Sequence, residues 1–246
     1  MQVIANARMN RADWLREIRA VVFVLVYMTA IAFRLAAQTP TPGAKEIEKI
    51  RAEAEAGDAK SQYQLAIHIL KFNPRDQFDE PTEQTRTEAC KWWRKAAEQN
   101  FAPAQRELGT RYSNGGGVPL DAAEACKWWR KAAEQNDALA QFYLGSYLED
   151  KVEAAKWYRK AAEQNLDQAQ ASLGRCYFFG HGVPEDDVQA YKWLALARAH
   201  GTDLINYVSK EELNRAESKL TPAQKAQAEK LVREFKPSAP SGSPTP

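Results

Sequence analysis

The chain has 246 residues, of which 44% are hydrophobic and 27% are charged, and its formal net charge is +2. Residues 1–37 carry five arginines against two acidic side chains, a net +3, so the rest of the chain has a net charge of −1. A nearly neutral body lacks the basic surface that nucleic-acid binding requires. We therefore expect no nucleic-acid partner.

Residues 1–37 have the pattern of a secretory signal peptide. Four arginines precede an uncharged, mostly apolar stretch from Ala20 to Phe33, and small residues follow before a polar segment. This pattern predicts cleavage after Ala37. The apolar stretch is short for a bilayer span of about 20 residues, but an uncleaved membrane anchor formed by residues 20–37 is the alternative. Met1 and Met9 are both candidate starts.

A linker and a short helix follow the signal-like segment. Residues 38–43 contain Pro40, Pro42 and Gly43, which resist helix formation, and are predicted to be a linker. Residues 44–56 are predicted to form a helix. Because it precedes a set of internal repeats, we interpret it as an N-terminal cap of the kind that stacked repeats require.

One 13-residue segment occurs twice without change. Its copies are Glu88–Asn100 and Glu124–Asn136, followed by the related segments Glu153–Asn165 and Gln189–Gly201. The first of the paired aromatic positions is Trp92, Trp128, Trp157 or Trp193, which gives spacings of 36, 29 and 36 residues. Periods of this size are typical of stacked helix pairs.

Each copy is predicted to be a helix with its own start and stop signals. On a helix, the apolar residues of Glu88–Asn100 fill an arc of roughly 160°, and we assign Trp92 to the partner helix and Trp93 to the next repeat. The predicted capping boxes are Thr85 with Glu88, Asp121 with Glu124, Asp150 with Glu153, and Asp186 with Gln189. The copies end at Asn100, Asn136, Asn165 and Gly201, residues suited to the left-handed conformation after a helix.

A second periodic element precedes each copy. Its fixed residues are Leu65, Leu108, Gly109, Leu144, Gly145, Leu173 and Gly174. Glycine inside a helix costs about 1 kcal/mol relative to alanine, so its recurrence predicts a helix crossing too close for a larger side chain. The glycine-rich segments 114–119 and 180–184 are predicted turns within two helix pairs, and the third repeat lacks such a linker.

The combined pattern resembles a known family. Ala-Gln-x-x-Leu-Gly-x-x-Tyr, then Gly-x-Gly-Val, then Asp-x-x-x-Ala-x-x-Trp-x-x-x-Ala-Ala is similar to the Sel-1-like repeat, a relative of the tetratricopeptide repeat. The repeats span about 58–100, 101–136, 137–165 and 166–201, within a solenoid of residues 44–201. The resemblance implies an all-α, right-handed superhelical solenoid that acts as a scaffold for protein contacts. The first repeat departs from the pattern with Ala66 in place of glycine and a long linker.

Beyond Gly201 the period is lost. Residues 202–236 are predicted to form C-terminal capping helices, the first beginning at Ser209 with Glu212 and the second at Thr221-Pro222. Residues 237–246 are mostly proline and serine and are predicted to be disordered.

The cysteines and histidines suggest no disulfide, metal site or cofactor. Cys90 and Cys126 occupy equivalent positions on stacked helices, which lie about 8–10 Å apart, beyond the roughly 7 Å that a disulfide spans between Cα atoms. Cys176 has no second cysteine in its helix pair, so three reduced, mostly buried thiols are expected. The histidines, His68, His181 and His200, lack metal-ligand spacing, and His181 is predicted to be a turn residue.

No catalytic pattern is recognised. Ser113, Ser146 and Ser172 lie in or at the end of packing helices without a periodic base partner. The glycine runs lack the Lys-Ser/Thr that completes a phosphate-binding loop. We therefore expect that the protein is not an enzyme.

The first helix of each pair is expected to bind a partner. In a tetratricopeptide-like superhelix these helices line the concave side, and the residues there that the repeat does not fix are Lys60, Tyr63, Arg106, Thr110, Phe142, Ser146, Arg175 and Phe178. Lys60, Arg106 and Arg175 are favoured as partner contacts because a charge at a packed position is costly. Tyr63 and Phe142 fit packing between repeats slightly better. Such a groove suits an extended or acidic peptide.

These observations predict an exported, periplasmic or extracellular scaffold that binds a protein or an extended peptide. The alternative is an envelope hydrolase or a peptidoglycan- or β-lactam-binding protein, by resemblance to cysteine-rich Sel-1-like relatives, whose bridges within each helix pair this chain lacks. A further alternative keeps residues 20–37 as an inner-membrane anchor for an adaptor, and only then is the membrane a partner.

Overall fold

A computed structural model describes residues 42–72, 81–200, 208 and 210–238. The chain divides into two units, Met1–Lys49 and Ile50–Pro246. The described residues are helical, with turns but no strand. The helices are α1 Pro42–Glu55, α2 Ala59–Phe72, α3 Glu83–Glu98, α4 Ala102–Asn114, α5 Ala122–Glu134, α6 Ala138–Tyr147, α7 Lys151–Glu163, α8 Asp167–Phe179, α9 Asp187–His200, α10 Lys210–Ser218 and α11 Pro222–Arg233. None of the described helices combines the length and apolar character needed to cross a bilayer.

In the first unit the described residues are the start of α1. This helix begins at Pro42, two residues earlier than the sequence suggested. Proline is tolerated in the first turn of a helix because the N–H that it lacks has no partner there. The predicted signal peptide and the first residues of the predicted linker lie outside the described residues.

The second unit is a solenoid of four helix pairs: α2 with α3, α4 with α5, α6 with α7, and α8 with α9. The second helix of each pair also packs on the first helix of the next pair. This arrangement confirms the predicted all-α solenoid of helix-turn-helix repeats. Helix α6 ends at Tyr147 and α7 already begins at Lys151, so the third pair lacks the long linker, as predicted.

Aspartates begin three of the second helices, but the predicted capping boxes are only half present. Asp121 accepts a hydrogen bond from the backbone N–H of Glu124 at 2.9 Å, while its own N–H donates to Tyr112 O at 2.9 Å. In a complete capping box the Glu124 side chain would accept the Asp121 N–H. Here the Tyr112 carbonyl oxygen of the preceding helix accepts it instead. At the first copy the predicted cap was wrong: Thr82 caps α3, and Thr85 is buried within the helix.

The predicted helix ends are confirmed in three repeats. Asn100, Asn136 and Asn165 have φ values of 64°, 68° and 67°, in the left-handed region. Asparagine tolerates this conformation better than other non-glycine residues do. Gly201 lies outside the described residues.

The recurring glycines mark close helix crossings, as predicted. A Cβ on Gly109 would lie 2.6 Å from Trp129 Cδ1, and one on Gly145 would lie 2.9 Å from Tyr158 Cε1. The second aromatic position therefore packs on its own partner helix. Trp129 also contacts the rings of Tyr143 and Tyr147 in the next pair. The sequence had assigned this position to the next repeat alone, whereas its long indole reaches both neighbours.

A row of glutamines, here called the glutamine seam, links the helix pairs; all of them but Gln99 are buried or half-buried. The seam consists of Gln62, Gln105, Gln141 and Gln170 on the first helices, and Gln99, Gln135 and Gln164 at the ends of the second helices. Gln141 Nε2 donates to Ala133 O of the preceding pair at 3.1 Å, and its Oε1 accepts from Gln164 Nε2 at 2.9 Å. Gln170 Oε1 is buried and has no hydrogen-bond partner among the described residues.

Two further helices cover the last repeat. Both α10 and α11 pack on α9. As predicted, α11 begins with Pro222 at its first position, and Thr221 also forms a capping box with Gln224. Phe235 packs edge-on against Trp193, with ring centroids 5.5 Å apart, and the N–H of Ser238 donates to Glu163 O at 2.8 Å. The first residues of the tail that was predicted to be disordered are therefore ordered by these contacts. Ser209, the other predicted cap, lies outside the described residues.

Candidate functional site

Two adjoining cavities meet at Arg175, one at the junction between the third and fourth helix pairs and the other between the fourth pair and α10. The first, of about 260 Å³, will be called the junction cavity; it is lined by Gly145, Ser146, Lys151, Ala154, Tyr158, Ser172, Arg175, Cys176 and His181. The second, of about 370 Å³, is lined by Arg175, Phe178, Phe179, Leu194, Glu211, Glu212 and Arg215. Arg175 lines both cavities. Three of the predicted partner-binding residues, Ser146, Arg175 and Phe178, are thus brought together.

The junction cavity exists because small side chains replace large ones at one point of the repeat. At the junction between the first and second pairs the equivalent residue is Arg111, whose guanidinium lies 5.0 Å from the ring centroid of Trp93. At the next junction it is Tyr147, whose ring packs on Trp129. At the third junction this position is Cys176, whose short side chain leaves the space open.

Arg175 is held between the two cavities by a carboxylate of the C-terminal cap. Its Nε and Nη2 donate to the two oxygens of Glu212 at 2.7 and 3.0 Å, a bidentate geometry. Hydrogen bonding to Glu212 raises the pKa of Arg175. Ser146 is exposed on α6; its hydroxyl donates to Phe142 O at 2.9 Å and accepts from the hydroxyl of Tyr158 at 3.3 Å.

Arg106 is also paired within the protein. Its guanidinium lies 2.9 Å from the Asp137 carboxylate, which caps α6, and 3.4 Å from that of Glu107. Burial lowers the pKa of Arg106, but the two carboxylates outweigh this effect and the pKa lies above its ordinary value. Arg106 therefore joins two helix pairs, and a charge at a packed position is stabilised here by internal partners.

The remaining predicted residues are spread along the first helices. Lys60 is exposed at the start of α2, and the Thr110 hydroxyl donates to Arg106 O at 3.1 Å. The rings of Tyr63 and Phe101 are 5.5 Å apart, and those of Phe142 and Tyr158 are 6.0 Å apart. Contacts of this kind match the packing between helices considered for Tyr63 and Phe142. The ring of Phe178 lies 4.1 Å from Lys219 Nζ.

A family model for the Sel1 repeat matches residues 59–101, 102–137, 138–166 and 167–201. These four matches cover more than half of the chain, and each of their eight boundaries lies within one residue of the boundary given above for the repeats. The chain belongs to the Sel1 repeat family. Sel1 repeats are helical scaffolds that generally mediate contacts between proteins.

Solved structures support the same family. A protective antigen present in uropathogenic Escherichia coli strains, which displays an SLR fold, is 35% identical with a TM-score of 0.65; the match covers 82% of this chain and 42% of the antigen. This chain therefore matches less than half of the antigen's length. A Sel1 repeat protein from Oxalobacter formigenes is 26% identical with a TM-score of 0.56, and the match covers 74% and 79% of the two chains. No curated protein matches this chain.

The cysteines of this Sel1 repeat protein are free thiols. Cys90 and Cys176 are buried and Cys126 is half-buried. Burial raises the pKa of Cys90 to about 11, and the Cys90 thiol donates to Gly116 O at 3.3 Å. The bridges that characterise cysteine-rich Sel-1-like relatives are thus not formed by these three residues. No group of metal-ligating side chains occurs within the described ranges.

Sequence reasoning gave no binding role to Lys151, Tyr158, Ser172 or His181, which also line the junction cavity. His181 does lie in the predicted turn, but that turn also brings it to the start of α7. A position-by-position comparison of the repeats indicates this site. Lys151 and His181 stand where the second repeat has Ala122 and Gly116, and Cys176 stands where it has Arg111.

Proposed function

We propose that this Sel1 repeat protein is an exported, non-enzymatic scaffold whose first helices bind an extended segment of a partner protein. The proposal is carried by one observation: Ser146, Arg175 and Phe178, which the repeat pattern leaves variable, line two adjoining cavities. Fixed residues build the solenoid, and the variable ones surround the space that a partner would enter. A peptide needs such pockets for its side chains in order to bind specifically.

The hydrogen bonds of two of the three serines, Ser113 and Ser146, support a role without catalysis. The hydroxyls of Ser113 and Ser146 donate to the carbonyl oxygens of Thr110 and Phe142 in their own helices, at 2.9 Å each. A catalytic serine instead donates its proton to a neighbouring base. The role that this arrangement supports is helix packing and surface contact.

Site-specific photo-crosslinking in the native host tests the scaffold proposal. A benzophenone amino acid at position 146, on α6, is expected to form an adduct with one protein partner. The matched control carries the same group at position 156, an exposed site on α7 of the same repeat. The proposal fails if position 146 yields no protein adduct, or if both positions yield the same adducts equally.

Export is a separate part of the proposal and has its own test. The basic and apolar pattern of residues 1–37 supports it. Mass spectrometry of the protein from the envelope fraction is expected to find Gln38 as the first residue. A protein retained in the membrane fraction with residues 20–37 intact would support the anchored alternative instead.

A further inference from the structure

The lining of the junction cavity has cationic and hydroxyl groups and no carboxylate. Lys151 and Arg175 are its cations, the imidazole of His181 lies beside them, and the hydroxyls are those of Ser146, Tyr158 and Ser172. Glu212, which holds Arg175, lines the neighbouring cavity instead. An anion entering the junction cavity would therefore meet donors without a competing negative charge in the wall.

Lys151 supplies a cation at the first residue of α7. It forms no ion pair within the described part of the chain. The nearest acidic residue in sequence, Asp150, caps the helix by accepting from the N–H groups of Val152 and Glu153 at 2.8 and 3.2 Å. Lys151 also lies close enough to Cys176 to act against burial, which raises the pKa of that thiol.

The linker after α8 brings His181 to the same place. A Cβ on Gly182 would lie 1.9 Å from Lys151 O, so the linker rests directly on the first turn of α7. Only glycine fits at such a distance. The ring of His181 stacks on Phe179, with centroids 5.5 Å apart, which fixes the imidazole at the mouth of the cavity.

Ser172 adds a hydroxyl that is not committed elsewhere. It is half-buried on α8, and its side chain makes no hydrogen bond to the described residues. By contrast, the Ser146 hydroxyl already donates to Phe142 O. A ligand oxygen inside the cavity would therefore be the natural acceptor for Ser172 Oγ.

We propose that the junction cavity binds the carboxylate side chain of an acidic peptide segment, with Lys151, Ser172 and His181 as the contacting groups. Arg175 adds its charge while Glu212 holds it in position. The inference rests on the proposed function, because it names the chemistry that the partner segment would present to the first helices. Hydrogen bonds between charged groups are about twice as strong as neutral ones and would give this contact its specificity.

The test is an NMR titration of the full chain with two six-residue peptides that differ only at two central positions, glutamate in one and glutamine in the other. The glutamate peptide is expected to shift the amide signals of Lys151, Ser172 and His181. The glutamine peptide is expected to bind at least about tenfold more weakly, as the loss of a charged hydrogen bond implies. Equal binding of the two peptides would overturn the proposal.

Substitutions taken from the second repeat provide the variant. Lys151→Ala with His181→Gly introduces the residues found at the equivalent positions 122 and 116, so the fold should tolerate them. This variant is expected to bind the glutamate peptide at least about tenfold more weakly than the wild type does. Lys127→Ala on α5 is expected to leave binding of that peptide unchanged. Unchanged binding by the double variant refutes the site. Inorganic phosphate binding as tightly as the peptide would show a general anion site and also refute the peptide assignment.

Failure of this inference is distinguishable from failure of the scaffold proposal. If position 146 captures a partner equally in the wild type and in the Lys151→Ala, His181→Gly variant, the scaffold proposal stands and the carboxylate site is refuted. If no partner is captured at position 146 by either protein, the scaffold proposal itself has failed.

Discussion

Trp129 lies over Gly109 so closely that its Cδ1 would stand 2.6 Å from a Cβ at position 109. We predict that Gly109→Ala lowers the free energy of unfolding by about 1–3 kcal/mol, the usual cost of overpacking a core. Alanine's higher helix propensity, about 1 kcal/mol, offsets only part of this cost. Urea unfolding followed by circular dichroism measures the difference.

Repeating the substitution in a Trp129→Leu protein tests whether the contact with Trp129 causes the loss of stability. Trp129→Leu places at this crossing the residue type that the fourth repeat has there, Leu194 against Gly174. Leucine is smaller and more mobile than an indole, so Gly109→Ala should cost less in the Trp129→Leu protein than in the wild type. Equal costs in the two backgrounds would mean that the clash with Trp129 is not the reason.

The glutamine seam predicts unequal effects from one substitution at two equivalent positions. Gln141 both donates to Ala133 O and accepts from Gln164, whereas Gln170 donates to Ala162 O but its Oε1 has no partner among the described residues. Gln141→Met should therefore destabilise the protein by about 0.5–1.5 kcal/mol more than Gln170→Met, because it also removes one of the two acceptors of Gln164 Nε2, leaving Asn136 Oδ1. Thermal unfolding of the two variants side by side measures this gap. Equal losses of stability would show that the hydrogen bond from Gln164 Nε2 to Gln141 Oε1 contributes nothing.

Glu153 should titrate below the ordinary glutamate value. Hydrogen bonds from Arg130 and from Trp157 lower the pKa of its carboxyl below the usual glutamate range. A carboxyl with a lowered pKa in the folded state stabilises the fold above its unfolded pKa, and that stabilisation is lost as the pH falls through the folded value. Stability should therefore decline below about pH 4.5, and less so in Arg130→Gln.

An NMR titration of the side-chain carboxyl measures this directly. Arg130→Gln is expected to raise the pKa of Glu153 toward 4.5. Lys127→Gln is the matched control, since Lys127 pairs with Glu124 on the same helix as Arg130. A Glu153 pKa that does not move in Arg130→Gln would contradict the assigned cause.

The three thiols should differ in reactivity. Cys90 is buried with a pKa of about 11, whereas Cys126 is half-buried. Because the thiolate is the reactive form, iodoacetamide at pH 8 should alkylate Cys126 at least about tenfold faster than Cys90. Peptide mass spectrometry over time measures both rates, and in urea the three cysteines should react alike. Faster labelling of Cys90 than of Cys126 in the folded protein would contradict the burial of the Cys90 side chain.

Features that depend on neighbouring residues in the sequence were predictable. The period, the close crossings at Gly109 and Gly145 and the left-handed Asn136 all follow from local chemistry repeated several times. The start of α3 was predicted wrongly because the first copy has no aspartate at the aligned position. Thr82, one turn earlier, caps the helix instead.

Features that depend on distant residues were not predictable. Arg106 pairs with Asp137, 31 residues away, and Arg175 pairs with Glu212, 37 residues away. No periodic signal reveals such partners, since neither pair recurs in the other repeats. The junction cavity likewise arises from what is missing, a large side chain at Cys176, and its outline needs the packing of three helices.

The glutamine seam also bears on how an array of this kind changes length in evolution. Each whole internal repeat brings one glutamine that accepts from its own pair and donates to the preceding pair, together with the glutamine that donates to it. An in-frame duplication or deletion of one repeat therefore keeps every buried donor matched with an acceptor. A partial repeat does not. The unchanged copies Glu88–Asn100 and Glu124–Asn136 are the pattern that such a duplication would produce. Gain or loss of whole repeats would therefore leave the hydrogen bonds of the seam intact.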